Sequence, residues 1–127
     1  MIRAALYCLL LVCSAAATAE EIVTWTPFLR QNGNVYYWNE PIKISDTLSR
    51  IMFRTDYASV STSPDGTQYD SSDDVLEFNC QQRIWHIIAQ ESFLGGRSVS
   101  MSRTPDPTWV SVEGNTIGEK LASRACH

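Results

Sequence analysis

The segment from Asp74 to Ser102 constrains the fold of this chain more than any other, because it has the pattern of three consecutive β-strands. Leu76, Phe78 and Cys80 alternate with a second set of side chains, which is the period of a strand with one buried face. Further along, Gly95-Gly96 separates two extended runs. That pair predicts a tight hairpin, because primed turns need positive φ and glycine adopts it without a steric clash. The segment therefore predicts antiparallel strands at the centre of the domain.

The second strand of this segment, Arg83 to Leu94, is rich in β-branched and aromatic residues. Both faces of its first half are apolar: Ile84 and Ile88 face one side, Trp85 and Ile87 the other. A strand that is covered on both sides lies centrally in a sheet or in a barrel wall. Across the glycine turn, the predicted pairs are Leu94 with Arg97, Ser92 with Val99 and Gln90 with Met101.

The N-terminal residues Met1 to Ala19 have the layout of a secretory signal peptide rather than of a folded element. Arg3 precedes a short apolar run, and Ala17-Thr18-Ala19 matches the small-residue pattern of a cleavage site. We expect cleavage between Ala19 and Glu20, which leaves one mature domain over residues 20–127. The chain is therefore expected to be exported, to the periplasm or to the cell surface.

Neither a lipid anchor nor a spanning helix is expected in the mature chain. Cys13 follows the bulky Val12, whereas lipoprotein signals carry a small residue directly before their cysteine. The apolar run of the signal is too short to span a bilayer, and no later stretch is long enough.

The acidic net charge argues against some classes of partner, and the small number of histidines argues against a metal site. The formal net charge is −4 at pH 7, and the basic residues form no stripe. An acidic domain of this kind is a poor candidate for binding nucleic acid or an anionic membrane, so neither is expected as a partner. No cofactor or metal is expected either, since the only histidines, His86 and His127, lack metal-ligand spacing with a cysteine.

Two cysteines, Cys80 and Cys126, remain once the signal is removed. In an oxidising compartment, one disulfide between them is the simplest inference. A metal pair or a nucleophilic cysteine is the alternative, and either would need partner residues that the sequence barely supplies.

The rest of the mature chain predicts three more strands, a long loop and one helix. The strands are expected at 21–28, 35–38 and 48–57, with a turn at 31–34 and a connection at 43–47. Residues 58–72 are polar and contain Pro64-Asp65-Gly66, which predicts a long loop. Residues 103–108 hold two prolines and are expected to be irregular, before an extended run at 109–112. Thr116 and Glu119 match a capping box, so a helix is expected from there to Cys126.

Several short motifs along this chain are weak singly but specific in their order and spacing. They are Tyr36-Tyr37, Asp56-Tyr57, Glu77-Phe78-Asn79-Cys80 with Arg83, Phe93 before Gly95-Gly96, Trp109-Val110-Ser111-Val112, Gly118-Glu119 and Cys126. In this order they resemble the surface-adhesin protein E family of small exported bacterial domains. The resemblance implies an antiparallel sheet with a docked C-terminal helix, a Cys80–Cys126 disulfide and no enzymatic activity. It also implies binding of host matrix and serum proteins at the outer surface.

Candidate partner-binding residues are aromatic and basic side chains: Tyr36, Trp38, Arg50 and Arg54. Arg50 and Arg54 share the outward face of one predicted strand and could present two guanidinium groups to an acidic partner. The alternative is a solvated face, on which these arginines pair with Asp56 or with Glu77 of a neighbouring strand. Three consecutive aromatic residues at 36–38 place at least one ring on each face, so we expect one ring to be buried and another exposed.

Each candidate catalytic or metal-binding residue has a structural alternative. His86 with Glu77 or Glu91 would supply the acid and base of a small hydrolase, or His86 is simply a hydrogen-bonded core histidine. The aspartates Asp70, Asp73 and Asp74 resemble a loose calcium loop but lack EF-hand spacing, which favours a solvated acidic loop. No residue is therefore assigned as catalytic or metal-binding.

The sequence thus predicts an α+β fold: a twisted antiparallel β-sheet of about six strands, one C-terminal helix packed on it and one disulfide. The predicted function is an exported, non-enzymatic, adhesin-like module that binds protein partners. The alternatives are an inhibitor of another protein, inserting a loop at Ser59–Tyr69 into a partner's cleft, and a small secreted hydrolase.

Overall fold

The computed structural model describes residues 23–127, apart from the side chains of residues 104–107. Its elements are β1 (Thr26–Gln31), β2 (Asn34–Trp38), β3 (Ile42–Lys43), β4 (Leu48–Thr62), β5 (Gln68–Asn79), β6 (Ile84–Leu94), β7 (Arg97–Ser111) and α1 (Ile117–Ala125). The predicted signal peptide, with its predicted cleavage site at Ala19 and Glu20, lies outside the described residues. The predicted α+β class is confirmed, with a mostly antiparallel sheet and one C-terminal helix.

The strands form one seven-stranded sheet of order β1-β2-β4-β5-β6-β7, in which the short β3 pairs with the start of β4. Tight turns connect the outer strands. Asn32 and Gly33 have φ of 54° and 81°, and Gly95 and Gly96 have φ of 58° and 79°. Positive φ at both central residues is what a type I′ hairpin needs, so the turns predicted at these two places are confirmed.

Helix α1 packs against one face of the sheet and encloses the core. Thr116 caps it by accepting a hydrogen bond from Glu119 N at 3.2 Å, and Glu119 Oε2 accepts one from Asn115 N at 2.6 Å. The predicted cap is therefore present, with the glutamate reaching the residue before the cap. The buried apolar side chains that meet beneath the helix are Ile51, Leu76, Phe78, Leu121, Ala122 and Ala125.

A disulfide between Cys80 and Cys126 fixes the end of α1 to the end of β5, as the resemblance implied. The two Cα atoms lie 5.5 Å apart, within the usual range for a disulfide. In the chain-entropy model, closing a loop with a sequence separation of 46 residues stabilises the fold by about 4 kcal/mol.

The prediction of a long loop over residues 58–72 was wrong. Strand β4 continues to Thr62 and β5 begins at Gln68, so that only residues 63–67 form the turn. Serine, threonine and tyrosine side chains suit a strand that is solvated on its faces, and polarity alone does not separate such a strand from a loop. The loop at Ser59–Tyr69, on which the inhibitor interpretation relied, is therefore a hairpin.

Two further expectations about strands need correction. Residues 103–108 belong to β7, an edge strand, although its pairing with β6 is irregular on both sides of Ile87. Proline is tolerated in an edge strand because an outward N–H has no ladder partner to lose. The first strand begins at Thr26 and ends at Gln31, later than predicted, and residues 21–22 lie outside the described part.

The register across the β6–β7 hairpin is predicted correctly only next to the turn. Leu94 pairs with Arg97, but Ser92 pairs with Ser100 and Gln90 with Ser102. An irregularity between Ser92 and Phe93 moves the pairs from Ser92 to Ala89 by one residue, and further irregularities on both sides of Ile87 move the later pairs again. A bulge of this kind is set by local backbone geometry rather than by hydrophobic alternation, which is why simple pairing from the turn missed it.

Within residues 23–127, no helix is both long enough and apolar enough to cross a membrane.

Candidate functional site

The face of the sheet opposite α1 carries no covering element in the described part of the chain, and we call it the open face. Its side chains alternate with the core residues of the same strands, because successive residues of a strand point to opposite sides. They include Arg50, Met52, Arg54, Asp73, Val75, Glu77, His86, Ile88, Met101 and Trp109. The open face therefore mixes charged, apolar and aromatic groups.

Arg54 is the most heavily engaged side chain of the open face. Its Nε and one terminal nitrogen donate to the two carboxylate oxygens of Asp73 at 2.6 and 2.8 Å. Its guanidinium also lies 4.7 Å from the ring centroid of Trp25 and 5.9 Å from that of Phe93. The hydrogen bond with Asp73 raises the pKa of Arg54. The geometry fixes a planar cation between a carboxylate and two rings.

A second polar group on this face joins Arg50, Glu77 and His86. Arg50 donates to Glu77 Oε2 at 3.1 Å, and His86 Nε2 lies 3.2 Å from Glu77 Oε1. Burial acts to raise the pKa of Glu77, but the hydrogen bonds from Arg50 and His86 outweigh it and hold that pKa below its usual value. An ionised carboxylate only accepts hydrogen bonds, so His86 Nε2 is the donor.

The surroundings of His86 are those of a packed histidine. Its ring stacks on Trp109 with centroids 3.9 Å apart, and its Nδ1 is buried without a hydrogen-bond partner among the described residues. Glu77 is held ionised, whereas a general acid or base works best with a pKa near the operating pH. Glu91, the other candidate acid, accepts instead from Ser98 Oγ at 3.1 Å. Of the three groups in the hydrolase interpretation, His86 and Glu77 therefore meet, as a hydrogen-bonded pair packed against Trp109, whereas Glu91 is bonded elsewhere.

Apolar side chains between these polar groups are exposed to solvent. Met101 is 62% exposed and Ile42, on the neighbouring β3, is 60% exposed. Two shallow clefts of about 500 Å³ and 380 Å³ lie on this face. Met52 and Val75 line both of them. Exposed apolar surface bordered by polar groups is typical of a protein-interaction site.

The four candidate partner-binding residues lie on both sides of the sheet. Arg50 and Arg54 lie on the open face, each already paired with a carboxylate of β5. Arg50 has the partner that the solvated-face alternative named, Glu77, whereas Arg54 pairs with Asp73. Tyr36 and Trp38 lie instead on the core side: Tyr36 stacks on Phe53 with centroids 5.7 Å apart, and Trp38 on Phe28 at 4.0 Å.

Trp25 is the aromatic residue beside the arginines, and sequence reasoning did not single it out. It lies just before β1, so neither strand alternation nor motif spacing predicts its contact with Arg54. Only the folded chain brings the two together.

The three aspartates considered for calcium are separated in the structure. Asp70 accepts a hydrogen bond from Gly95 N at 3.1 Å, Asp73 pairs with Arg54, and Asp74 lies on the helix side of β5. Among the described residues, no group of three or more His, Cys, Asp or Glu side chains is arranged to hold a metal ion. The acidic loop that was predicted here is part of a strand.

Comparison with known proteins agrees with the resemblance carried by the motifs. A family profile described as Surface-adhesin protein E matches residues 25–127, which covers every described strand and the helix. No curated protein and no solved structure matches the chain significantly. The sheet, the docked C-terminal helix and the disulfide are also what the resemblance implied. The chain belongs to the surface-adhesin protein E family.

Proposed function

We propose that this chain is an exported, non-enzymatic binding module of the bacterial cell envelope, displayed at the cell surface, which holds protein partners on its open face. The family match supports an adhesin-like role. The observation that carries the assignment to this face is its uncovered mixture of apolar side chains and fixed ion pairs. Both features are common in the contact surfaces of proteins.

The apolar groups are the expected anchors of this contact. Met101 and Ile42 are more than half exposed, and the clefts beside them are of a size to receive side chains of a partner. Trp25 and Arg54 supply a rigid aromatic and cationic pair, whose order is set before binding because Asp73 holds the guanidinium. A pre-organised group loses little conformational freedom when a partner arrives.

The ion pairs are expected to contribute specificity more than affinity. Arg50 and Arg54 are each neutralised by a carboxylate of β5, so the face presents no excess of positive charge to an acidic partner. Polar groups of this kind give specificity because a partner that covers them without pairing them binds less tightly. The partner surface expected here is apolar with complementary polar groups around it.

Surface display is tested by protease treatment of intact cells, followed by immunoblotting for the mature chain. A periplasmic protein serves as the control for membrane integrity. Loss of the chain while the control survives is the expected result. Protection of the chain until the outer membrane is permeabilised would exclude an adhesin and leave a periplasmic binding role.

The open face is tested by binding of the purified chain to a panel of host matrix and serum proteins. Met101→Asp places a charge among the exposed apolar groups. It is expected to lower the affinity for any captured partner at least tenfold, or by about 1.4 kcal/mol of binding free energy. Ser123→Asp adds the same charge on the exposed side of α1 and is the matched control. Equal binding by both variants, or a loss confined to Ser123→Asp, would contradict the assignment.

A further inference from the structure

A separate cleft lies on the helix side of the sheet, beside the first turn of α1. It has a volume of about 580 Å³, within the range of pockets that hold small ligands. Tyr36, Phe53 and Trp85 supply aromatic walls, and Ile87 and Ile117 supply aliphatic ones. This cleft is on the opposite side of the sheet from the open face, so the proposed partner contact does not use it.

The charges that line this cleft are all of one sign. Asp74 and Glu113 border it, and no lysine, arginine or histidine does so among the described residues. At the N-terminus of α1, the N–H of Glu119 is already bonded to Thr116, and the Glu119 carboxylate accepts from Asn115 N, which places a further negative charge at this end of the helix. The cleft therefore favours a cation over an anion.

Asp74 is the group within the cleft that lacks compensation. Its Oδ1 is buried and receives no hydrogen bond from any group that the structure describes. Burial, together with the neighbouring charge of Asp73, raises the pKa of Asp74 to about 6, against the opposing effect of one hydrogen bond from Gln90. At neutral pH this carboxyl is still mostly ionised, and a largely buried charge without an opposite charge beside it is unfavourable.

We infer that this cleft binds a small organic ammonium ion carried on an apolar, ring-sized body, with the ammonium group paired to Asp74. The body would lie among Tyr36, Phe53 and Trp85. Aromatic faces attract a cation through their quadrupole, and a carboxylate in the same cleft supplies the opposite charge. A metal ion fits less well, because the two carboxylates of the cleft are not joined by a third ligand residue in the described chain.

The test is an NMR titration of the purified mature chain with phenethylammonium near neutral pH, followed through amide and indole resonances. Phenethyl alcohol, which has the same body without the charge, is the matched ligand. We expect the ammonium to bind at least tenfold more tightly than the alcohol, with the largest shifts at Trp85 and around Asp74. Equal binding of the two ligands, or shifts away from this cleft, would overturn the inference.

Two variants separate the charge from the shape of the cleft. Asp74→Asn keeps the size of the side chain. It is expected to lower the affinity for phenethylammonium at least tenfold while leaving the affinity for phenethyl alcohol unchanged. Asp46→Asn removes the same charge from a fully exposed site and is the control, expected to bind as the parent chain does. An Asp74→Asn variant that binds the ammonium as tightly as the parent would overturn the pairing.

A third variant fills the cleft without touching Asp74. A Cβ built at Gly118 would lie 3.6 Å from Trp85 Nε1, so Gly118→Leu directs a side chain against that wall. We expect it to abolish the binding of both ligands while the thermal unfolding transition is kept. Retained ammonium binding in this folded variant would mean that the ligand lies elsewhere.

Discussion

The covered face and the open face are built from the same strands, but they fix their side chains by different means. On the covered face, Ile51 and Phe78 are 1% exposed and pack beneath Leu121. On the open face, the central side chains are held by ion pairs, and Met101 is 62% exposed. Burial of apolar area stabilises a fold strongly, whereas partly exposed ion pairs contribute little. The covered face therefore stabilises the fold, whereas the open face is suited to binding a partner.

The largest expected effect is on the covered face. Phe78→Ala removes a fully buried ring and is expected to lower the free energy of unfolding by about 3–5 kcal/mol, because a cavity is left behind. Met101→Ala, the matched change on the open face, is expected to alter it by less than about 0.5 kcal/mol. Urea unfolding followed by circular dichroism measures both. Similar losses in the two variants would remove the contrast between the faces.

The disulfide is the next contribution to the covered face. The double variant Cys80→Ser/Cys126→Ser is expected to lose about 2–4 kcal/mol, since the link between β5 and the end of α1 no longer restricts the unfolded chain. The same unfolding experiment applies, with and without a reducing agent. Reductant should destabilise the parent chain to the level of the variant and leave the variant unchanged. A parent chain that is insensitive to complete reduction would contradict this role of the disulfide.

Asp74 is an exception on the covered side, because its burial is unfavourable for the charged form. Its folded pKa of about 6 lies above the ordinary value of 3.8, so its contribution to stability is present below about pH 4 and is lost as the pH rises through 6. Asparagine does not ionise, so the Asp74→Asn variant keeps the stability of the neutral side chain at every pH. The variant is therefore expected to exceed the parent by about 2 kcal/mol more at about pH 8 than at about pH 4. If the free energy of unfolding depended on pH equally in the two proteins, the raised pKa of Asp74 in the folded chain would be contradicted.

The smallest expected effect is on the open face. A double-mutant cycle on Arg54 and Asp73 is expected to give a coupling free energy of about 1 kcal/mol, because the bidentate pair is only partly shielded. The pair Lys43–Asp46, 3.9 Å apart with both side chains largely exposed, is the control and is expected to give a coupling near zero. A coupling of several kcal/mol for Arg54–Asp73 would mean that the open face also stabilises the fold.

The contrast between the faces also explains what sequence could predict. Strand alternation identified Leu76 and Phe78 as core, the capping pattern identified the start of α1, and the glycine pair identified the β6–β7 turn. These depend on local chemistry. The outer part of the β4–β5 hairpin was predicted as a loop because a polar strand resembles one. The bulge beside Phe93 was missed because strand alternation does not show where an extra residue is inserted.

The candidate site was predicted less well than the fold, for a related reason. Arg50 and Arg54 were placed on one face correctly, since both positions follow from the alternation of β4. Their partners come from β5 and from the segment before β1, and those contacts depend on register and on chain packing. Trp25 beside Arg54 and the cleft around Asp74 arise only when distant segments meet.

The most direct test of the central claim is side-chain oxidation footprinting of the mature chain, alone and with a matrix or serum protein that it captures. The account predicts that Met101 and Trp25, on the open face, become protected from oxidation in the complex. Tyr36 and Trp85, which line the cleft beside α1, should oxidise at the same rate in both samples. Protection of Tyr36 and Trp85 with Met101 unchanged would place the partner on the helix side and contradict the account.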